Sequence, residues 1–140
     1  MTGSANLDLV RSIYADWERG DFSKTDWADP EIEFVIADGP EPGAWIGLAG
    51  MAEGFRNRLR AWQEVRVAAD GYRELDPERV LVLVRLAGRG RISGLQLGEM
   101  RGKTANVFHL QGGCVTRLVV YWDRDGAFVD LGLSPEDERP

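Results

Sequence analysis

Between Asn6 and Arg19 the apolar residues recur at three- and four-residue steps: Leu7, Val10, Tyr14 and Trp17, with Leu9 and Ile13 widening the stripe. That period predicts a helix with one buried face. Asp8 falls in its first turn, where a negative charge meets the positive end of the helix dipole, and Gly20-Asp21 ends it. A connector, Trp27-Ala28-Asp29-Pro30, leads into Glu31 to Ile36, where the alternation Ile32, Phe34, Ile36 predicts a half-buried strand. The following stretch, DGPEPGAWIG, carries so much proline and glycine that it predicts a loop or a sheet edge. A second helix is expected from about Leu48 to Trp62. Its buried stripe is Leu48, Met51, Ala52, Phe55, Leu59 and Trp62, with Arg56, Asn57 and Arg60 turned outward. Beyond it the period becomes two. Glu64 to Leu75, Arg79 to Ile92, Leu97 to Gln111 and Val115 to Trp122 read as strands. Asp76-Pro77, Ser93-Gly94 and Gln111-Gly112-Gly113 supply the turns between them. Asp123 caps a short last helix through Leu131, ahead of the acidic tail SPEDERP.

Helices first and a meandering antiparallel sheet afterwards is an α+β order, not the alternation of a parallel α/β fold. With no repeat or linker, the 140 residues read as one domain with its core at about 6–131. Hydrophobic residues make up 44% and charged residues 29%, an ordinary globular balance. No apolar run approaches the roughly 20 residues of a membrane helix, and no signal peptide opens the chain. Cys114 is the one cysteine, which excludes an internal disulfide and suits a reducing cytoplasm. A net charge of -6 works against binding a phosphate backbone, so nucleic acid is not an expected partner.

Several landmarks fall in order along this frame: the tryptophan-bearing helix ended by Gly20-Asp21, the segment WADPEIEF, the run WIGLAGMAEGF, and the closing LQGGCVTRLVVYWDRDGAFVDL. Together they resemble the SnoaL-like and ketosteroid-isomerase-like families of the nuclear transport factor 2-like superfamily, over about Leu7 to Leu131. The resemblance implies a cone-shaped α+β fold in which a strongly curved sheet wraps the helices and encloses an apolar cavity. It implies no single activity, since such families include isomerases, dehydratases, epoxide hydrolases, polyketide cyclases and non-catalytic members. On this resemblance Trp17, Trp27, Trp45 and Trp122 stand near the cavity, either as ligand-facing walls or as plain core.

Asp38 is the first candidate for chemistry. It follows the Phe34-Val35-Ile36 strand, nine residues before Gly47, and ketosteroid isomerases place their proton-shuttling carboxylate at a comparable spacing. A carboxylate at the mouth of an apolar pocket has the raised pKa that a general base needs. Asp before Gly-Pro is equally ordinary turn chemistry, its oxygens bonding local backbone amides. The isomerases also hold their oxyanion with a helix-one tyrosine and a protonated aspartate. Counting back from the helix end, the tyrosine position falls on Ile13; counting back from Gln111-Gly112-Gly113, the aspartate position falls on Asn106. Asparagine can donate to an oxyanion and isoleucine cannot, which speaks against steroid isomerisation. For an Asp-Arg-Asp constellation of the epoxide hydrolase kind, Arg85 supplies the arginine, with Asp38 or Glu99 as its partner.

Other groups are weaker. His109 alternates with Phe108 and Leu110, so if Asn106, Phe108 and Leu110 face the cavity, His109 faces away from it. A lone histidine excludes multi-histidine zinc sites, one cysteine with one histidine makes structural zinc untenable, and no nucleophile elbow is present to support a Ser-His-Asp arrangement. GRGRISG, Gly88 to Gly94, lacks the third glycine of a phosphate loop and precedes a strand, so it reads as a hairpin with Arg89, Arg91, Arg101 and Lys103 around it. Cys114 reads as a buried, inert thiol.

Two functions remain. One is a cofactor-independent, metal-independent enzyme acting on a small apolar or amphipathic molecule, with Asp38 and Asn106 as its polar groups and Trp17, Trp45, Phe55, Arg85, Phe108 and Trp122 around the ligand. The other is a non-catalytic ligand-binding or dimerisation domain. Val107, His109, Val119 and Tyr121 are more apolar than an exposed sheet face wants, which predicts a homodimer through the sheet.

Overall fold

The computed structural model describes residues 2–38, 42–58, 62–92 and 95–133. Helix α1 spans Thr2–Glu18, strand β1 Ala28–Ile36, β2 Gly43–Ile46 and helix α2 Gly47–Arg58. Strands β3 Trp62–Asp76, β4 Arg79–Ile92, β5 Leu95–Gln111 and β6 Cys114–Tyr121 follow, and α3 Arg124–Leu131 closes the order. The six strands form one mixed, open sheet in the order β2-β1-β6-β5-β4-β3. Strand β1 runs parallel to β6, and every other neighbouring pair is antiparallel.

Strict alternation lets the central strands bury both of their faces. On β4, Val80, Val82, Val84 and Leu86 point to an inner face shared with Val10, Ile13, Tyr14 and Trp17 of α1. Helix α1 lies against β3 and β4, while α2 lies against β1 and β2. On the outer face Leu81, Leu83, Ala105, Val107, Val119 and Tyr121 pack beneath Ala127 and Phe128 of α3. The apolar residues expected to meet a second subunit are thus covered by the chain's own last helix. Val107, Val119 and Tyr121 are buried, and His109 is half-buried at their margin. Helix α3 is held at both ends: Asp123 caps its N-terminus by accepting from the Asp125 amide at 3.0 Å, and Gly132 ends it in the left-handed region at φ 70°.

The pattern-based boundaries hold closely for β4, β6 and α3. Helix α2 departs from its expected course. It stops at Arg58, and Trp62 begins β3 instead of closing a helical stripe. Leu48 and Ala52 are exposed, while Met51 and Gly54 are buried. The buried face of α2 is therefore rotated toward Gly54, because that glycine lets the helix ride directly on the ring of Phe34. Strand β2 forms within the proline- and glycine-rich stretch as an edge strand, where a preceding proline removes no ladder bond. The expected Ser93-Gly94 turn, the Leu59 and Arg60 positions of the second helix, and the acidic tail lie outside the described residues, as do the side chains of Asn57 and Trp62.

The close approach at Gly54 is directly testable. A Cβ there would stand 2.3 Å from Cδ2 of Phe34, a ring that is itself fully buried. Gly54→Ala is expected to lower stability by about 1–3 kcal/mol, the scale of an overpacked core, despite alanine's better helix propensity. Urea denaturation measures it, and an unchanged or raised midpoint would show that α2 need not sit this close.

Candidate functional site

The inner face is organised by aromatic rings from five elements. Trp17 of α1 meets Tyr14 at 4.9 Å between centroids, Phe55 of α2 at 5.5 Å, Phe108 of β5 at 6.3 Å and Trp27 at 6.0 Å. Phe22 stacks on it at 6.0 Å from the loop after α1. Edge-to-face and offset contacts of this kind add to plain area burial. Trp27 satisfies its own indole N–H by donating to the Lys24 carbonyl at 2.9 Å. Phe34, Phe55 and Trp45 continue the apolar wall toward β2.

Two polar side chains interrupt this wall. Thr104 and Asn106 occupy alternate positions on β5 and so share the inner face with Phe108. Their register partners are Val84 and Val82 on β4, with Val120 of β6 beside Asn106, so neither neighbouring strand offers a polar group. Asn106 Nδ2 donates to Tyr14 Oη at 2.7 Å. Asn106 Oδ1 and Thr104 Oγ1 are buried without a hydrogen-bond partner among the described residues. An unpaired buried polar group costs about 1–3 kcal/mol, so these two mark the polar point of an otherwise apolar wall.

Of the residues singled out in the sequence, Trp17, Phe55 and Phe108 come together, and Trp122 and Trp45 pack against the same inner cluster. Asn106 stands at the polar centre of that face. Asp38 lies elsewhere. Its Oδ1 accepts from the Trp122 amide at 2.6 Å and its Oδ2 from the Asp123 amide at 3.1 Å, beside Gly126 in the first turn of α3. These bonds join the end of β1 to the β6–α3 junction across the fold; they are not the local amide bonds expected of an aspartate before Gly-Pro. Arg85 does not join the inner face either. It alternates with Val84 and Leu86, so it projects outward, where it pairs with Asp70. A bulge between Ala69 and Gly71 aims Asp70 to that side, and its second oxygen accepts from Arg124 at 3.1 Å. The side chains of Glu99, Arg89, Arg91 and Arg101 lie outside what is described; Lys103 is exposed. Cys114 is half-buried at the start of β6.

An uncharacterised protein of Mycobacterium tuberculosis is 30% identical to this chain over 129 residues, covering 87% of the chain and 92% of the relative. An uncharacterised protein of Mycobacterium bovis matches to the same extent, which places the chain in one family with these proteins. No protein-family model matches. Among solved structures, a nuclear transport factor 2-like protein of unknown function from Burkholderia pseudomallei superposes with a TM-score of 0.70 at 20% identity, over 89% of this chain and 95% of that one. A candidate SnoaL-like polyketide cyclase from Jannaschia gives 0.67 at 16% identity, covering 95% of both chains. TerC, co-crystallised with polyporic acid, gives 0.69 at 20% identity, over 91% of this chain and 97% of TerC. The chain has the fold of these SnoaL-like and nuclear transport factor 2-like structures.

Within this SnoaL-like frame the phenol opposite Asn106 comes from Tyr14, not from the Ile13 position. Counting from the helix end carries an uncertainty of about one residue, enough to exchange two neighbours on a helix. The signal lay in the stripe itself. A tyrosine at the centre of a buried helix face needs a partner for its hydroxyl, and an asparagine on the facing strand is the natural one.

Two predictions follow from these placements. Because both oxygens of Asp38 accept backbone N–H bonds, asparagine can replace only one of them and turns an NH₂ group toward the other amide. Asp38→Asn is expected to lower stability by about 1–3 kcal/mol, the range for bonds to a charged acceptor. A variant as stable as wild type in chemical denaturation would show that the two bonds contribute nothing. His109 is the chain's one histidine. Partial burial holds its pKa below the ordinary 6.5, helped by Arg117 and Arg79 and opposed by Asp76 and Glu33. The unfolded chain then takes up this proton at higher pH than the folded one does. The stability that neutral His109 confers is present above about 6.5 and declines as pH falls through the lower folded-state value. The single imidazole signal in an NMR titration should give a midpoint below 6.5, and a midpoint above it would contradict the burial.

Proposed function

We propose that this SnoaL-like protein binds a small, largely apolar molecule against the inner face, between α1 and the sheet, with the polar end of the ligand seated on Asn106. The observation that supports the reading is the Asn106 amide. It is 8% exposed, is anchored on one side by Tyr14, and its other polar atom has no partner in an otherwise apolar wall. An apolar site with a few oriented polar groups is the usual form of a small-molecule pocket. The rings of Trp17 and Phe108 suit flat or aromatic ligands. TerC, a fold neighbour, was crystallised with polyporic acid, which makes cyclic organic compounds a sensible first screen.

Binding alone accounts for these features. The buried polar and charged side chains are Thr104, Asn106 and Arg124, and Arg124 bonds Asp70, so no carboxylate is buried on the inner face among the described residues. The enzymatic alternative keeps Asp38 as acid–base group and draws on the likeness to candidate polyketide cyclases. In that case Asp38→Asn lowers turnover by roughly 100-fold or more on a true substrate, beyond its effect on folding.

A thermal-shift screen of small aromatic compounds tests the binding reading, since a ligand of the folded state raises the melting temperature by mass action. A hit is expected to quench tryptophan fluorescence through Trp17, and Asn106→Leu is expected to weaken it about tenfold or more in calorimetry. A hit that binds Asn106→Leu as tightly as wild type would place the ligand elsewhere.

A further inference from the structure

The unpaired atoms on β5 specify more than a polar contact. Residues two apart on one strand are separated by roughly 6.5 Å along it, and their side chains leave the sheet in the same direction. Two hydrogen bonds of ordinary length span about 5.5 Å, so a single oxygen reaches Thr104 Oγ and Asn106 Oδ1 together once the two side chains lean toward each other by about 1 Å. The bonding demands of the two atoms differ. With its Nδ2 committed to Tyr14 at 2.7 Å, Asn106 presents an acceptor to the inner face. The threonine hydroxyl can donate or accept. The group that satisfies both must donate to Asn106 and can accept from Thr104. A hydroxyl does this; a ketone has no proton for Asn106, and a carboxylate has neither a proton nor a counter-charge here. Arg124, the buried cation among the described residues, is committed to the Asp70 carboxylate and to the backbone carbonyls of Val84 and Thr104, at 3.1, 3.0 and 3.3 Å. Burying an uncompensated anion against Val82, Val84 and Val120 is strongly unfavourable.

We infer that Thr104 and Asn106 form a two-point clasp for one hydroxyl group, and that the pocket selects an uncharged alcohol or phenol carried on an apolar ring. This rests on the ligand-binding reading above and narrows it to a ligand class. Thr104 becomes a specificity-determining residue, a role that nothing in its apolar strand context explains, since valine fits the same wall. In the empty protein the threonine hydroxyl is a liability, which predicts an inverse relation between stability and selectivity at this position.

Naphthol, methylnaphthalene and naphthoate share one ring system and differ at a single substituent, so they separate the possibilities. Binding to wild type and Thr104→Val is measured by calorimetry, alongside each unliganded melting temperature. Wild type is expected to bind naphthol about tenfold or more tighter than methylnaphthalene, the worth of one to two hydrogen bonds, and to reject naphthoate. Thr104→Val is expected to melt at or above the wild-type temperature, to lose most of the preference for naphthol, and to keep its affinity for methylnaphthalene. If wild type binds both neutral probes and Thr104→Val keeps the full preference, the clasp is overturned while the pocket stands. Tighter binding of naphthoate than of naphthol overturns the selection for uncharged ligands. A melting temperature clearly lowered by Thr104→Val overturns the clasp without any ligand, because it shows the hydroxyl already bonded in the empty protein. If none of the three probes binds wild type, the pocket reading falls, and the clasp falls with it.

Discussion

Everything on the inner face depends on how Trp17 is held. Its ring touches a residue of its own helix, the loop that leaves that helix, a ring of α2, and a ring in the middle of β5. Among the described residues no other side chain joins so many elements through ring contacts. Packing density in protein interiors leaves little freedom for such a group, so the tilt of α1 over the sheet follows from where this indole can sit. The position of Tyr14, one residue short of a full turn earlier, follows in turn, and so does the direction from which its hydroxyl reaches β5.

Much of this frame was legible as periodicity. The α1 stripe, the end of that helix at Gly20, the limits of β4 and the Asp123 cap are local consequences of spacing and turn chemistry. The failures share a different cause. Leu48 and Ala52 satisfy a helical stripe, yet α2 turns them outward because the absence of a side chain at Gly54 draws the other face onto Phe34. Arg85 falls on the outer face by simple alternation with Val84, but only knowing which strand face carries α1 decides that outward is away from the aromatic cluster. Trp62 fits both a helix stripe and a strand start, and tertiary pairing with β4 decides between them. The residues of the candidate site that the structure brings to one face were legible in the aromatic positions and in Asn106. Tyr14 and Thr104 were not singled out, because a polar group becomes conspicuous only when its neighbours are known to be apolar.

The two faces of the sheet are chemically joined at one point. Arg124 reaches from α3 to the backbone carbonyls of Thr104 and Val84, while the Thr104 side chain leaves the opposite face. Asp38 adds a second tie, drawing the end of β1 to the amides of Trp122 and Asp123, just before α3. Helix α3 is therefore more than a cover for Val107 and Tyr121. It holds the strand on which the polar pair is mounted, and the segment that carries Trp122 toward the inner cluster.

The parallel pairing of β1 with β6 has a consequence for how the chain is made. Strand β6 sits between β1 and β5, so the N-terminal β1–β2 unit and the C-terminal β3–β5 meander are joined in the sheet only through it. Residues 28–36 must wait for residues 114–121, a sequence separation that makes closure slow compared with the hairpins on either side. Strand β1 therefore keeps the edge that β6 will cover unpaired until residues 114–121 have been made, whereas the matching edge of β5, which ends at Gln111, waits only for the short turn that follows it.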